Sequence, residues 1–303
     1  MSDTLISRID RLRRQRQAVI LAHNYTVGEV QDVADFVGDS LELARRAATV
    51  EAEVIVFCGV YFMAETAKIL NPKSMVLMPD THAGCPMADM ATAEAVRAKK
   101  AEHPGCAVVC YVNTTAAVKA ESDICCTSGN APAIVRSLPK DQPILFVPDR
   151  KLGSRTAEQT GRELILWDGY CPTHERILPM LVKEARQQHP QALVVAHPEC
   201  PPAVRDLADH LASTAGILAF CRQTDHDQFI IATEEGLLHR LRLENPGKTF
   251  YPANARMTCP NMKRASLEKI LWCLEDLRGQ VEVDPATAER ARRAIQRMFL
   301  AVP

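Results

Sequence analysis

Short apolar runs rich in valine and isoleucine recur along the chain, separated by stretches with helical periodicity. Their length and β-branched content favour strands, and their alternation with helices is typical of an α/β fold with parallel sheets. An amphipathic stretch after the first strand is interrupted at Gly38 and can restart as a helix at Asp39 and Ser40. Amphipathic helices are also predicted near the two ends, over 5–16 and 266–298. The predicted strands cover 18–22, 53–60, 74–78, 107–112, 123–126, 143–147, 192–196, 216–221, 229–232 and 248–251, with a shorter apolar run at 163–167.

The same order of elements occurs three times along the chain. The first strands begin near residues 18, 107 and 192, a spacing of 89 and then 85 residues. Self-similarity at a fixed period is typical of repeated structural units. We therefore predict three pseudo-equivalent, three-layer α/β units, over residues 1–97, 98–182 and 183–303, the last including the C-terminal helices. Each unit is expected to contain a small parallel sheet, with the units arranged around a pseudo-threefold axis and the active site at the centre.

Composition and charge exclude several classes of protein. The 303 residues carry 36 basic and 37 acidic side chains, a net charge of −1, which lacks the basic excess of a nucleic-acid-binding domain. Hydrophobic residues at 47% and charged residues at 24% are typical of a globular protein. The N-terminus does not have the pattern of a signal peptide, and no apolar run approaches the roughly 20 residues that span a bilayer. We expect a cytoplasmic protein that binds neither nucleic acid nor membranes.

The chain has 11 cysteines, an odd number that argues against a secreted disulfide framework. The sequence contains no Cys-x-x-Cys pair, which excludes zinc ribbons and thioredoxin-type motifs. Seven cysteines lie in or beside apolar segments, where a free thiol behaves as a small buried hydrophobe. These seven, which we interpret as core residues, are Cys58, Cys106, Cys110, Cys125, Cys126, Cys221 and Cys273.

The other four cysteines each precede a proline, and three of them follow the repeat. Cys85 and Cys171 are 86 residues apart, and Cys171 and Cys259 are 88 apart, which matches the repeat period. These three are expected at the same place in each unit, after its last strand. Cys200 instead follows the first strand of the third unit, and its role stays open.

Three equivalent loops around a central axis would bring three thiolates to one point. Three thiolates are one short of the four that complete the coordination of a [4Fe–4S] cluster, so one iron would be free to bind substrate and act as a Lewis acid. A three-thiolate zinc site with water in the fourth position, as in a zinc-dependent lyase or hydrolase, is the rival interpretation. A non-catalytic iron–sulfur carrier or redox sensor is a third, although a carrier would be expected to supply four thiolates.

Polar side chains cluster where the predicted strands end, which is where ligands collect in parallel α/β units. Histidine, tyrosine and glutamate at such positions can transfer protons. Serine and threonine there are mostly helix N-caps, but hydroxyls beside free helix N–H groups also bind carboxylate or phosphate. The candidates are His23, Asn24, Tyr25, Ser40, Tyr111, Asn113, Thr127, Ser128, His197, Glu199, Ser213 and Thr214.

Eight short motifs in order, spread from about residue 18 to residue 275, together resemble the quinolinate synthase family. Their combination is far more specific than any one of them alone. The motifs are His23-Asn24-Tyr25, Gly38-Asp39-Ser40, Tyr111-Val112-Asn113, Thr127-Ser128, Cys171-Pro172-Thr173-His174, His197-Pro198-Glu199 with Cys200, Ser213-Thr214 and Met257-Thr258-Cys259-Pro260.

The resemblance implies a three-unit fold around an oxygen-sensitive [4Fe–4S] cluster. It implies condensation of iminoaspartate with dihydroxyacetone phosphate, with loss of phosphate and two waters, to give quinolinate for NAD biosynthesis. A transient contact with the enzyme that supplies iminoaspartate is implied as well.

The resemblance also implies roles for individual residues. Cys85, Cys171 and Cys259 are expected to ligate the cluster, and 61–63 to shape the entrance of the cavity. Proton transfer is expected from Tyr25, Tyr111, His197 and Glu199. Substrate binding is expected from His23, Ser40, Asn113, Ser128, His174, Ser213 and Thr214.

Overall fold

The computed structural model describes residues 4–254 and 257–301, and within them the chain forms three parallel sheets of four strands each. The first sheet contains β1 Ala18–His23, β2 Phe36–Gly38, β3 Val54–Cys58 and β4 Met75–Leu77. The second contains β5 Ala107–Tyr111, β6 Ile124–Cys126, β7 Ile144–Val147 and β8 Ile165–Leu166. The third contains β9 Leu193–Ala196, β10 His210–Leu211, β11 Gln228–Ala232 and β12 Thr249–Pro252. The prediction of an α/β fold with three small parallel sheets is confirmed.

Helices connect the strands and cover the sheets. The strands of the first sheet are preceded, connected or followed by α1 Leu5–Gln15, α2 Gly28–Val33, α3 Ser40–Thr49, α4 Tyr61–Leu70, α5 Pro86–Asp89 and α6 Ala93–Glu102. The second sheet is followed or connected by α7 Ala116–Ala120, α8 Ala131–Ser137, α9 Arg150–Thr160, α10 Pro172–Glu175 and α11 Pro179–Gln188. The remaining helices are α12 Pro202–Arg205, α13 Thr214–Gln223, α14 Leu237–Glu244, α15 Leu267–Asp276 and α16 Pro285–Ala301. Across the described ranges, no helix combines the length and the apolar character needed to span a membrane.

The three sheets share one strand order. In each, the first strand lies between the second and the third, and the fourth pairs with the third: β2-β1-β3-β4, β6-β5-β7-β8 and β10-β9-β11-β12. All pairings are parallel, so the carboxyl ends of the strands meet at the same edge of each sheet. Every residue of β3 and β5 is buried, as expected for strands covered on both faces.

An aspartate repeats at the same place in all three sheets. Asp35, Asp123 and Asp209 each precede the second strand of their sheet, and one carboxylate oxygen of each accepts a backbone hydrogen bond of 2.8 Å from the first strand. The donors are the amides of Ile20, Val108 and Val194, each 15 residues earlier. This shared bond supports the threefold repeat independently of the cysteine spacing. The boundaries at residues 97 and 182 and the pseudo-threefold axis stay predictions.

The prediction of a strand over 216–221 is wrong. These residues belong to α13, where Ser213 is the N-cap and its hydroxyl accepts a hydrogen bond of 3.3 Å from the amide of Gly216. A short apolar run fits a buried helix face as well as a strand, and here the capping serine decides for the helix. Cys221 is therefore buried in a helix. The second strand of the third sheet is instead the two-residue β10.

One further element differs from the sequence-based expectations. The stretch before Gly38, expected to be helical, ends in the short strand β2. The C-terminal stretch 266–298 forms the predicted helices, α15 and α16, which are separated where α15 ends at Leu277 with a φ of 54°, followed by Gly279 with a φ of 78°. Helix α15 packs against the first sheet, and α16 contributes Ala291, Ile295 and Met298 to the core around the second.

Candidate active site

A central cavity of about 160 Å³ lies where the strand ends of all three sheets converge. Thirteen of the fourteen residues predicted for the site line it, and they come from each of the three predicted units. Ser213 is the exception: its hydroxyl caps α13, and it does not line the cavity within the described part of the chain. The thirteen are His23, Tyr25, Ser40, Cys85, Tyr111, Asn113, Ser128, Cys171, His174, His197, Glu199, Thr214 and Cys259.

The three cysteines of the repeat all face this cavity. Cys85 and Cys171 are N-caps of the short helices α5 and α10, each followed by a proline that fixes the first helical turn. Cys259 likewise precedes Pro260, and all three are partly exposed, whereas the other eight cysteines are buried. Burial, together with the nearby Cys259, raises the pKa of Cys85 to about 12. Such thiols need a cation to be held as thiolates, as a metal site provides.

Cys200 does not join the three. Its side chain is fully buried in the core around the third sheet, and its thiol donates to the carbonyl oxygen of Ala232 at 3.3 Å. Within the described residues the cavity lining contains only the three cysteines that follow the repeat period.

Two histidines and a glutamate form the polar centre of the cavity. Nδ1 of His174 lies 2.7 Å from Oε2 of Glu199, and the rings of His174 and His197 stack at 4.8 Å. Burial acts to raise the pKa of Glu199, but His174, His197 and Tyr111 together outweigh it and keep that pKa below its usual value. Burial lowers the pKa of His197 to about 3, so its ring is neutral at physiological pH. A carboxylate that stays ionised in the cavity can accept a proton.

A chain of hydrogen-bonded hydroxyl groups connects Tyr25 to His174. The hydroxyl of Tyr25 lies 2.8 Å from Oγ1 of Thr214 and 2.7 Å from Oγ1 of Thr233. The same Thr233 oxygen lies 2.9 Å from Nε2 of His174. Burial raises the pKa of Tyr25 well above its usual value, so Tyr25 stays protonated and can donate. Burial also raises the pKa of Tyr111, with a further contribution from the charge of Glu199.

Several polar groups face the cavity without a protein partner. Oε1 of Glu199 and Oδ1 of Asn113 are buried and form no hydrogen bond within residues 4–254 and 257–301. Buried polar atoms are almost always satisfied, so these two atoms are available to a ligand or to water. The hydroxyl of Ser128 lies 3.2 Å from Nε2 of His197, and Ser40 is the first residue of α3, whose N-cap is Asp39. These atoms suit a small ligand with several polar groups.

The cavity wall also includes residues that the sequence reasoning did not select. Glu234 lines the cavity, and Thr233 lies behind the wall, where it contacts Tyr25 and His174. Both directly follow β11, the third strand of the third sheet, and the rule that ligands collect at strand ends could have found them. Arg176 is the one arginine or lysine among the described lining residues. Of the segment 61–63, expected at the entrance, Phe62 lines the wall.

The cavity also contains a second group of side chains that could bind a single metal ion. Ligand atoms of Cys171, His174 and Glu199 all lie within 4.8 Å of one another. This set uses only one of the three repeated cysteines, whereas a cluster would use all three. The donor set of three thiols facing one cavity therefore fits an iron–sulfur cluster with one iron not ligated by cysteine.

Comparisons with known proteins give a consistent result. A family model described as "Quinolinate synthetase A protein" matches residues 7–300. A protein named "Quinolinate synthase" from Desulforudis audaxviator is 54% identical over 299 residues, 99% of each chain. One with the same name from Geobacter metallireducens is 52% identical over 302 residues, covering 100% of this chain and 99% of the other. Another, from Methanoregula boonei, is 52% identical over 301 residues, 99% of each chain.

Proposed function

The chain belongs to the quinolinate synthase family, and we propose that it condenses iminoaspartate with dihydroxyacetone phosphate at the central cavity. The products are quinolinate, inorganic phosphate and two water molecules, which balances the atoms of the two substrates. The chain is thus an enzyme of NAD biosynthesis. The observation that supports this assignment most strongly is the convergence of Cys85, Cys171 and Cys259 on the cavity that also holds the proton-transfer groups.

The cofactor of the proposal is a [4Fe–4S] cluster held by Cys85, Cys171 and Cys259. Their number, their thiol chemistry and their shared cavity fit such a cluster. When bound, the cluster supplies a Lewis acid at the iron that no cysteine ligates, which can polarise a substrate oxygen. The alternative single-ion set of Cys171, His174 and Glu199 would leave Cys85 and Cys259 without a role.

Both substrates are anions, and the cavity offers groups that bind anions. Iminoaspartate carries two carboxylates, and dihydroxyacetone phosphate carries a phosphate. The hydroxyls of Ser40, Ser128 and Thr214 and the amide of Asn113 can hydrogen-bond these groups. Arg176, which lines the cavity and is itself exposed, contributes a permanent positive charge at the mouth.

The remaining polar residues transfer protons. Oε1 of Glu199 lacks a protein partner and is the atom that accepts a proton from a substrate carbon next to a carbonyl. His174 holds the other oxygen of this carboxylate, which fixes its orientation. Tyr25, kept protonated by burial, donates a proton to a substrate oxygen and is held in position by Thr214 and Thr233. Tyr111, which interacts with Glu199, and His197, whose Nδ1 lies 3.8 Å from Oε2 of Glu199, complete the proton-transfer set.

The proposal is tested by an anaerobic assay with both substrates, in which quinolinate and inorganic phosphate are measured together. Equal amounts of the two products are expected, and omission of either substrate should abolish quinolinate formation. Phosphate release without quinolinate would overturn the proposed reaction. The cytoplasmic location and the transient contact with the enzyme that supplies iminoaspartate stay predictions.

A further inference from the structure

A buried glutamate outside the proton-transfer set connects the Cys259 loop to the rest of the site. Glu234 follows β11, lines the cavity and is only 1% exposed. Its Oε1 accepts a hydrogen bond of 2.9 Å from the amide of Cys259, and its Oε2 accepts one of 2.7 Å from the amide of Gly236. One carboxylate therefore holds the backbone of an expected cluster ligand and the turn that begins α14.

A lysine extends this connection to the first unit. Nζ of Lys263 lies 2.9 Å from Oε1 of Glu234 and donates to the carbonyl oxygen of Tyr25 at 2.6 Å. Gly236 packs closely against both groups, because a Cβ added to it would lie 2.7 Å from the carbonyl group of Tyr25 and 2.8 Å from Nζ of Lys263. The pair thus joins the Cys259 loop to the residue whose hydroxyl faces the cavity.

Stability alone is a weak reason for this arrangement. The free energy lost when two charges are removed from water is about as large as the free energy gained from their attraction. Apolar residues of similar size often stabilise a protein as well or better. Here both charges make further hydrogen bonds to backbone atoms of Tyr25, Gly236 and Cys259. Thr233, the residue before Glu234, hydrogen-bonds the hydroxyl of Tyr25, while Lys263 holds the backbone carbonyl of Tyr25.

We propose that Glu234 and Lys263 are positioning residues that fix the Cys259 loop relative to Tyr25 and set the local charge beside the Cys259 thiolate. The inference rests on the proposed function, because it assigns Cys259 to the cluster and Tyr25 to proton transfer. A negative charge near a cluster lowers its reduction potential, and a positive charge raises it. The two members of the pair therefore act on the potential with opposite signs.

The test compares Glu234→Gln, Lys263→Met and Lys263→Arg as anaerobically purified holoproteins. Iron and sulfide content, the midpoint potential of the cluster and steady-state kinetics are measured on each. Glu234→Gln is expected to raise the potential, Lys263→Met to lower it, and Lys263→Arg to leave it close to that of the parent. Loss of a hydrogen bond to a charged group is expected to lower kcat roughly tenfold or more in the first two variants, with KM within about twofold.

Two further sets of variants control for simple loosening of the fold. Asp123→Asn and Lys100→Met break a partly exposed pair, 2.9 Å apart, beside the amino end of β5, and should leave the potential unchanged. The double variant Glu234→Gln/Lys263→Met removes both charges and should return the potential towards that of the parent. Should one single variant fail to fold, a shift in the other that is reversed in the double variant still supports the proposal, and no shift in it overturns the proposal.

The outcomes separate this inference from the proposed function. Opposite shifts in potential at full iron content support the positioning pair. Shifts in the same direction, or none, in a parent that binds a cluster and forms quinolinate would overturn the pair alone. A parent that neither binds iron nor forms quinolinate would overturn the proposed function and this inference with it.

Discussion

Oε2 of Glu199 lies 2.7 Å from Nδ1 of His174, although the two residues belong to different predicted units of the fold. Glu199 follows β9 in the third sheet, and His174 lies on α10, three residues after Cys171. The contact leaves Oε1 of Glu199 without a partner in the described part of the chain. The carboxylate is thus oriented by the loop that carries a predicted cluster ligand, and its free oxygen faces the cavity.

Replacement of Glu199 by glutamine should remove proton abstraction while preserving the cofactor. An amide of the same size cannot accept a proton at neutral pH, so kcat is expected to fall by roughly 10²–10⁴-fold. Iron and sulfide content should match the parent. Glu184→Gln, on the exposed face of α11, is the matched control and should retain parental turnover. Parental turnover in Glu199→Gln would remove Glu199 from the proton-transfer set.

The hydroxyl of Tyr25 is expected to matter for turnover more than for stability. Tyr25→Phe removes a group that contacts both Thr214 and Thr233, and the net cost in unfolding free energy should be about 1 kcal/mol. The expected decrease in kcat is roughly 100-fold, as for other positioned proton donors. Tyr251→Phe, whose ring stacks on His189 away from the cavity, is the control. Equal losses of activity in the two variants would contradict the role of Tyr25.

Arg176 should assist the binding of the anionic substrates. No ion pair to its guanidinium is formed within the described residues, so its charge is available at the mouth of the cavity. Arg176→Gln is expected to raise KM for dihydroxyacetone phosphate about fivefold or more and to weaken the dependence of kcat/KM on salt, because a steering charge is screened by ions. Arg150→Gln, whose parent side chain pairs with Asp168 at 2.7 Å, should change neither quantity. An unchanged KM in Arg176→Gln would contradict this role.

His197 should make the folded state sensitive to acid. Its pKa is lowered by burial from 6.5 to about 3, so the unfolded chain binds a proton at pH values where the folded chain does not. The free energy of unfolding should therefore decrease as the pH falls below 6.5, by about 1.4 kcal/mol per pH unit for this one group.

The measurement for His197 is urea-induced unfolding between pH 6 and pH 4, on the parent and on His197→Asn under identical conditions. The difference in slope between the two proteins isolates the contribution of His197, since its neighbours Ser128, His174 and Glu199 are present in both. The exposed His82→Asn should retain the slope of the parent. Identical slopes in the parent and His197→Asn would show that His197 is not held neutral by burial.

Much of the site was predictable because the repeat places equivalent loops at equivalent spacing. The three cysteines share a period, and His23, Tyr25 and Glu199 lie at or just after the ends of first strands, where ligands collect in parallel sheets. Thr233 and Glu234 were not predicted, because they follow a third strand and their sequence resembles that of an ordinary loop. Their importance depends on contacts with Tyr25 and Cys259, which are distant in sequence.

The fold was predictable to a similar extent, and for similar reasons. Long buried strands such as β3 and β5 carry a clear apolar signal, whereas β2 and β10 have only three and two residues and no pattern of their own. The apolar face of α13 was mistaken for a strand because its length allows both structures. The hydrogen bonds of Asp35, Asp123 and Asp209, which mark the repeat, required coordinates to be seen.

The central claim is that three cysteines, one from each predicted unit, hold an iron–sulfur cluster in the cavity. The most direct measurement is the iron and sulfide content of anaerobically purified Cys85→Ala, Cys171→Ala, Cys259→Ala and Cys200→Ala proteins. Loss of the cluster is expected in each of the first three variants and full content in Cys200→Ala, whose parent thiol is buried against the third sheet. A cluster retained in any of the first three, or a fully active parent that contains zinc and no iron, would contradict the account.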